Sequence, residues 1–293
     1  MRFQVLGAAV AGAALLLTAT GCGSVASKPS AAASSSGGAS NAPSSASTAA
    51  SASSSTESSS TTPAATTNPT GNLTVLAAAS LTGTFTKIGK DFETANPAIH
   101  VTFSFGASST LAQQIIQGAP ADVFASAAPS NMKQVADAGD VSGTAATFVR
   151  NQLVIAVPKG NPEHITGLAD LTRPGVKVVE CAAQVPCGAA AAKALAAANV
   201  KLTPVSLEAD VKSTLAKLTL GEADAALVYR TDALSVADKA DGVEFPESAQ
   251  AINDYPIAVL SHTSNSTAAQ AFVAFVQSAP EMSVLTAAGF QKP

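Results

Sequence analysis

The residues best placed to do chemistry in this sequence lie at four points where a predicted strand passes into a predicted helix. The four stretches are AAASLTG with Ser80, GASSTL with Ser108, QVPCGAA with Cys187 and EADVKS with Val211. A helix start carries unpaired backbone N–H groups and the positive end of the helix dipole, so each stretch could bind an anion. A fifth donor, the phenol of Tyr229, ends the apolar run ALVY.

Each of these positions also has an ordinary structural explanation. Ser80 and Ser108 are expected to cap their helices, a role whose loss typically costs ~1 kcal/mol. In the serine pair at 108–109, one hydroxyl would cap the helix while the other faced a ligand. Val211 can offer only its backbone N–H, and Tyr229 could equally lie at the edge of the core. The binding hypothesis therefore depends on all five positions meeting in one place.

The elements that must position these residues alternate between strand and helix. The apolar run at 73–79 predicts a buried strand, and the following helix carries Phe85, Ile88 and Phe92 on one face. This alternation predicts an α/β protein with parallel sheets and right-handed crossovers. Ligands of such sheets collect at the carboxyl ends of strands, where the four stretches lie.

The chain is expected to form two lobes joined by two crossing segments. A strand over 152–158 has the apolar run 255–260 as a candidate partner. If these two strands lie side by side, the chain leaves the first lobe near residue 151 and returns near residue 253. The first lobe would then comprise residues 73–151 and 253–293, and the second lobe residues 152–252.

The N-terminal quarter predicts export and anchoring rather than folding. Residues 1–21 have a positive start, an apolar run and small residues, as in a secretory signal peptide. The following Cys22 sits where a bacterial lipoprotein is cleaved and lipidated, although Ala19 replaces the usual leucine. Residues 22–72 consist almost entirely of Ser, Ala, Thr, Gly and Pro, which predicts a disordered tether. The alternative is ordinary secretion with a free Cys22.

Composition excludes several classes of function. Residues 73–293 carry 14 Lys and Arg against 19 Asp and Glu, and the chain has no tryptophan, so nucleic-acid binding has no support. The three histidines, His100, His164 and His262, lack the spacing of a metal site. No G-x-S-x-G turn of a serine hydrolase occurs, so no catalytic residues are assigned. A structural surface lipoprotein without any ligand stays open.

Two cysteines in the folded part are close enough in sequence to form a bridge. Cys181 and Cys187 lie six positions apart in a domain that is expected to be exported. An oxidising compartment favours a disulfide between them, which would brace the stretch that presents the Cys187 N–H. The alternative is two free thiols, one of them buried in the strand VVECA.

Several stretches resemble the molybdate-binding proteins of bacterial ABC importers, and the resemblance covers essentially the whole folded part. They are LTVLAAASLTGTF, FSFGASSTLAQQIIQGAPADVFASA, VPCGAAAAKAL and ALVYRTDAL. The resemblance implies the two-lobed type II periplasmic-binding-protein fold, with a tetrahedral oxyanion, molybdate or tungstate, held between the lobes. Ser80 and Ser108 would donate through hydroxyl and N–H, Cys187 and Val211 through N–H alone, and Tyr229 through its phenol. Cys187 departs from the family, where a small residue such as alanine is common.

The resemblance also implies the partners and the location of the protein. It would be a monomer outside the cytoplasm, anchored by lipid to the outer face of the cell membrane, that delivers its ligand to an ABC permease. It would use no cofactor, and molybdenum would be present only as the bound oxyanion. Sulfate has the same charge and shape as molybdate, so a receptor for another oxyanion is the alternative. An exported hydrolase is a more distant one.

Overall fold

The described part of the protein is its C-terminal three quarters. The structure, a computed structural model, describes residues 69–293. The predicted signal peptide over 1–21, the lipidation site Cys22 and nearly all of the predicted linker lie outside the described residues. The fold begins two residues earlier than expected, because Gly71 already pairs with Ile99. Within the described residues, no helix combines the length and the apolar character of a membrane span.

The first lobe is built on a five-stranded mixed sheet. Its strands are β1 (Gly71–Ala78), β2 (Ile99–Gly106), β3 (Val123–Ala125), β4 (Val141–Asn151) and, returning later in the chain, β10 (Asn253–Leu260). The order across the sheet is β2-β1-β3-β10-β4. Strand β1 runs parallel to β2 and β3, whereas β10 runs antiparallel to both of its neighbours. From Val75 onward β1 is buried on both faces, as expected for a central strand covered by helices on each side.

Five helices cover the two faces of this sheet. They are α1 (Thr82–Ala95), α2 (Ser108–Ile116), α3 (Pro129–Asp137), α7 (Ser266–Val276) and α8 (Ala279–Ala287). The predicted apolar face of α1 is fully buried at Phe85 and Ile88, and Phe85 packs edge-on against Phe272 of α7. Helices α2 and α3 contribute to a separate core on the opposite face. A short 3-10 turn over Ala79–Leu81 leads from β1 into α1.

The second lobe contains its own mixed sheet and its own core. Its strands are β5 (Leu153–Pro158), β6 (Val178–Cys181), β7 (Ser206–Glu208), β8 (Ala225–Tyr229) and β9 (Ala240–Val243), in the order β7-β6-β8-β5-β9. Its helices are α4 (Pro186–Ala197), α5 (Val211–Thr219) and α6 (Arg230–Leu234), with 3-10 turns at Leu168–Thr172 and Pro246–Ala251. Strand β6 runs parallel to β7 and β8, and β5 runs antiparallel to β8 and β9.

The chain passes between the two lobes at two neighbouring points. Strand β4 ends at Asn151 in the first sheet and β5 begins at Leu153 in the second, while β10 re-enters the first sheet at Asn253. Asn151 and Asn253 pair with each other across the β4–β10 ladder, so the two crossings lie side by side. The two-lobed α/β architecture predicted from the sequence is confirmed.

The predicted partners of the two crossing strands are wrong. Strand β5, with the 255–260 run as its candidate partner, pairs instead with β8 and β9, and β10 pairs with β3 and β4. Each sheet consequently combines parallel strands with an antiparallel strand and is not purely parallel. The physical reason is that each strand pairs inside the lobe whose core it helps to bury, and an apolar run does not encode its partner.

Candidate functional site

The five predicted binding residues line one small cavity between the lobes, which we call the interlobe cavity. The first lobe contributes Ala78, Ala79, Ser80, Gly106, Ala107, Ser108 and Ala127, and the second lobe contributes Val185, Pro186, Cys187, Asp210, Val211 and Tyr229. The cavity has a volume of about 20 Å³. That volume leaves room for one compact ligand and is too small for a sugar or a peptide side chain.

Three helices and one 3-10 turn begin at the wall of this cavity. Ser108 is the first residue of α2, Val211 is the first residue of α5, and Cys187 follows Pro186 at the start of α4. Ser80 lies in the 3-10 turn that precedes α1. Because backbone N–H groups in a first turn have no intrahelical acceptor, these starts direct unpaired donors toward the cavity from both lobes.

The start of α5 shows how one of these N–H groups is kept free. The side chain of Asp210 caps the helix, and its Oδ1 accepts the N–H groups of Lys212 and Ser213 at 2.8 and 3.0 Å. The capping carboxylate therefore satisfies the second and third residues of the helix, so the Val211 N–H is left for the cavity.

The two serines do not cap their helices, contrary to the expectation from the sequence. Ser80 Oγ lies 2.8 Å from the phenol oxygen of Tyr255. Ser108 Oγ accepts a hydrogen bond of 2.9 Å from the backbone N–H of Ala127. Both side chains are buried at the interlobe cavity, and other elements of the first lobe hold their oxygens. Since the Ser108 oxygen is an acceptor in this contact, its hydroxyl hydrogen stays available to a ligand.

The phenol oxygen of Tyr229 is a buried polar atom in the wall of the cavity. Its side chain is 1% exposed, and its phenol oxygen has no hydrogen-bond partner among the described residues. Burial raises the pKa of this phenol well above its usual value, so the group stays protonated and can donate. A buried hydroxyl without a partner costs roughly 1–3 kcal/mol, and an acceptor in the cavity would remove that cost.

A disulfide and a glycine hold the start of α4 in place. Cys181, the last residue of β6, is bonded to Cys187, with their Cα atoms 5.8 Å apart. The structure therefore contains the bridge that the sequence favoured over two free thiols. At Gly188 an added Cβ would lie 2.1 Å from the carbonyl oxygen of Ala182, so no side chain fits there. The Cys187 N–H is thus presented by a tightly packed turn.

An ion pair lies beside the cavity in the second lobe. Lys212 Nζ is 2.9 Å from Oδ1 of Asp232, whose side chain is fully buried. Burial raises the pKa of Asp232, and the neighbouring ammonium opposes that shift. Burial is the main cause that raises the pKa of Tyr229 and of Tyr255, and the nearby Asp232 carboxylate adds to this shift. The positive charge of Lys212 partly neutralises the Asp232 carboxylate. The repulsion between this carboxylate and an anion in the cavity is therefore weaker.

Sequence reasoning missed the residues that hold the binding donors from outside. Tyr255 contacts Ser80 from 175 positions away, and Asn151 reaches Tyr255 across 104 positions. Neither belongs to a motif, and no local signal could have linked them to the cavity. Asp232 was missed for the same reason, because a single acidic residue in a helix start is ordinary.

The chemistry available in the cavity is hydrogen-bond donation. Among the described residues that line it, Asp210 is the only charged one, and its carboxylate is engaged in the cap of α5. No histidine, lysine or arginine is found in that lining, whereas His100, His164 and His262 are all exposed at the surface. In the part of the chain that the structure describes, no cluster of three His, Cys, Asp or Glu side chains could hold a metal ion.

Comparison with known proteins places the chain in a family. Residues 73–291 match the family of bacterial extracellular solute-binding proteins. The molybdate-binding protein ModA of Mycobacterium tuberculosis is 48% identical over 227 residues, which cover 78% of this chain and 87% of that protein. The substrate-binding domain of a putative molybdenum ABC transporter from Clostridium difficile is 31% identical with a TM-score of 0.59, covering 76% of this chain and 99% of that domain.

A third comparison concerns the fold alone. The sulfate-binding protein SubI of M. tuberculosis gives a TM-score of 0.65 at 20% identity, covering 75% of this chain and 86% of that one. It shares the two-lobed architecture and says nothing about which anion this chain prefers. The two proteins of the preceding comparison are a molybdate-binding protein and a substrate-binding domain of a transporter. The chain belongs to the bacterial extracellular solute-binding proteins and is a two-lobed extracytoplasmic substrate-binding protein, not an enzyme.

Proposed function

We propose that this protein captures molybdate, or the closely similar tungstate, in the interlobe cavity and delivers it to an ABC importer. The ligand residues are Ser80 and Ser108 through hydroxyl and N–H, Cys187 and Val211 through N–H, and Tyr229 through its phenol. The observation that carries the proposal is their convergence from both lobes on one cavity that contains a buried phenol without a partner. The similarity to the M. tuberculosis molybdate-binding protein supports the choice of anion.

A cavity of neutral donors selects its ligand by protonation state. A fully deprotonated tetrahedral dianion only accepts hydrogen bonds, so all of its oxygens can face donors. Protonated phosphate brings a hydrogen of its own, and leaving that hydrogen without an acceptor costs on the order of 1–3 kcal/mol. Sulfate is also a fully deprotonated tetrahedral dianion, so its protonation state does not exclude it. The size of the cavity must then discriminate between sulfate and molybdate, because the metal–oxygen bonds of molybdate are longer.

The strength of binding can be bounded from the donor set. Two hydroxyls, four N–H groups and one phenol make about seven bonds to a charged ligand, each contributing roughly 1.5–3 kcal/mol. Their sum is on the order of 10–20 kcal/mol, against roughly 4–15 kcal/mol lost on association. The difference is consistent with micromolar or tighter binding, as a scavenging receptor requires.

The closed arrangement of the two lobes would signal to the permease that the ligand is bound. We assign residues 73–151 and 253–293 to the first lobe and 152–252 to the second, with the crossings near Gln152 and Ile252 as the hinge. Only the closed arrangement brings both sets of donors to one anion, so the ligand favours closure. A permease could then distinguish the loaded monomer from the empty one by shape.

The proposal that a lipid attaches the protein to the membrane rests on the N-terminal sequence alone. We propose that cleavage after residue 21 leaves a lipidated Cys22 and that residues 22–72 act as a tether to the outer face of the membrane. Replacing Cys22 with serine should release the protein from the membrane fraction into the medium. Retention of that variant in the membrane would contradict a lipid anchor at this residue.

Calorimetric titration tests the proposed ligand. The protein lacking residues 1–22 is titrated separately with molybdate, tungstate, sulfate and phosphate at neutral pH. We expect molybdate and tungstate to bind with a stoichiometry of one and micromolar or tighter affinity, with sulfate at least about tenfold weaker. Tighter binding of sulfate would make the protein a sulfate receptor, and no heat with any oxyanion would refute the proposal.

A further inference from the structure

Tyr255 and Asn151 occupy the junction between the lobes, directly behind the interlobe cavity. Tyr255 is in β10 and Asn151 is the last residue of β4, and both side chains are completely buried. The Tyr255 ring packs edge-on against Tyr229, with ring centres 6.0 Å apart, and against Phe290 at 5.5 Å. Neither side chain lines the cavity, so neither is among the five proposed ligand residues.

The hydrogen bonds of these two residues form a chain that ends at the cavity. Gln152 N–H donates to Oδ1 of Asn151 at 3.0 Å, which fixes the orientation of the amide. The amide nitrogen of Asn151 then donates to Thr231 Oγ1 at 2.8 Å and to the phenol oxygen of Tyr255 at 3.4 Å. The same phenol lies 2.8 Å from Oγ of Ser80.

The direction of this chain follows from what each group can do. An amide nitrogen can only donate, so the Tyr255 oxygen is the acceptor in its contact with Asn151. Among the hydrogen bonds of the described residues, Ser80 Oγ is the acceptor left for the buried Tyr255 hydrogen. Burial also raises the pKa of Tyr255, which keeps that hydrogen in place at physiological pH. Ser80 Oγ is then an acceptor toward Tyr255, and its own hydrogen is free for the cavity.

We infer that Tyr255 is a positioning residue that aims the Ser80 hydroxyl hydrogen at the bound oxyanion, with Asn151 fixing the direction of the chain. This inference rests on the proposed function, because it assumes that Ser80 donates to an oxyanion in the interlobe cavity. It deepens that function by explaining how a hydroxyl, which can donate or accept, is restricted to donation. It also joins a ligand donor of the first lobe to Thr231 of the second.

A double-mutant cycle separates this role from simple packing. Tyr255→Phe, Ser80→Ala and the combination of both are titrated with molybdate by calorimetry. The phenylalanine keeps the ring contacts and removes only the hydroxyl. If Tyr255 acts through Ser80, Y255F alone weakens molybdate binding about tenfold, and it has little further effect when Ser80 is already alanine. A merely structural Tyr255 would weaken binding equally in both backgrounds.

Ser108 provides the matched control for the cycle. Its hydroxyl is held by the Ala127 N–H and not by Tyr255. Tyr255→Phe should therefore keep its full effect when combined with Ser108→Ala. Equal loss of the Tyr255 effect in the S80A and S108A backgrounds would overturn the inference.

The remaining outcomes are also decisive. If Y255F does not fold, Asn151→Ala replaces it in the same cycle, with a smaller expected effect that again disappears in the S80A background. Wild-type protein that binds molybdate together with an additive cycle would refute the positioning role alone. Wild-type protein that does not bind molybdate would refute the proposed function, and the positioning role with it.

Discussion

Replacing Tyr229 with phenylalanine should move stability and affinity in opposite directions. The Tyr229 phenol is buried with no hydrogen-bond partner among the described residues, so its removal relieves a cost of roughly 1–3 kcal/mol whenever the empty protein adopts this closed arrangement. The ring is kept, and with it the edge-on contact with Tyr255. In the loaded protein the same change removes a hydrogen bond to a charged ligand, which contributes roughly 1.5–3 kcal/mol. Molybdate affinity should therefore fall by about 10- to 150-fold.

Two measurements on the same samples test this expectation. Urea unfolding of the ligand-free protein should show equal or greater stability for Tyr229→Phe than for wild type, and calorimetry should show the loss of molybdate affinity. Ser283→Ala, an exposed change on α8, serves as the control and should alter neither quantity. Unchanged affinity would remove Tyr229 from the binding site. A clear loss of stability in the ligand-free variant would show that the phenol is satisfied and that the reasoning from its isolation is wrong.

Three further changes have defined outcomes. Ser108→Ala should weaken molybdate binding about tenfold or more without unfolding the protein, as measured by calorimetry and circular dichroism; unchanged affinity would exclude this hydroxyl from the site. Gly188→Ala should lower the free energy of unfolding by at least about 2 kcal/mol, because its Cβ would lie 2.1 Å from the Ala182 carbonyl oxygen. Gly83→Ala, where nothing lies within 4 Å of the added Cβ, is the control for urea unfolding, and equal behaviour of the two variants would contradict the packing argument. Burial raises the pKa of Glu180 from 4.5 to about 6, so the folded state holds its proton more tightly and loses stability as the pH rises between these values. Glu180→Gln should therefore stabilise the protein at pH 7 by on the order of 1 kcal/mol and have little effect below pH 4.5; a pH-independent effect in urea unfolding would contradict this assignment.

Helices with a strong apolar period were predicted well, whereas polar strands were not. The apolar face of α1 agrees with the structure, because helical periodicity is a local property. Strand β4 was missed, since VSGTAATFVRN begins with small and polar residues that lie mostly exposed. The short strands β7 and β9 and the helix α6 were missed for a similar reason. These segments are regular because they hydrogen-bond to neighbouring elements, and their own side-chain pattern does not predict that regular structure.

The positions of the proposed binding donors followed from the sequence, because a strand that ends where a helix begins is a local pattern and the resulting N–H groups are a property of any helix start. The environment of those donors was decided only by the tertiary structure. Ser80 and Ser108 were expected to cap helices. Their oxygens instead contact the phenol of Tyr255 and the backbone N–H of Ala127, which belong to other parts of the first lobe. Such contacts depend on how the sheets are ordered and where the chain crosses between lobes, and the free energy that selects this arrangement comes from burying both cores at once, not from any single segment.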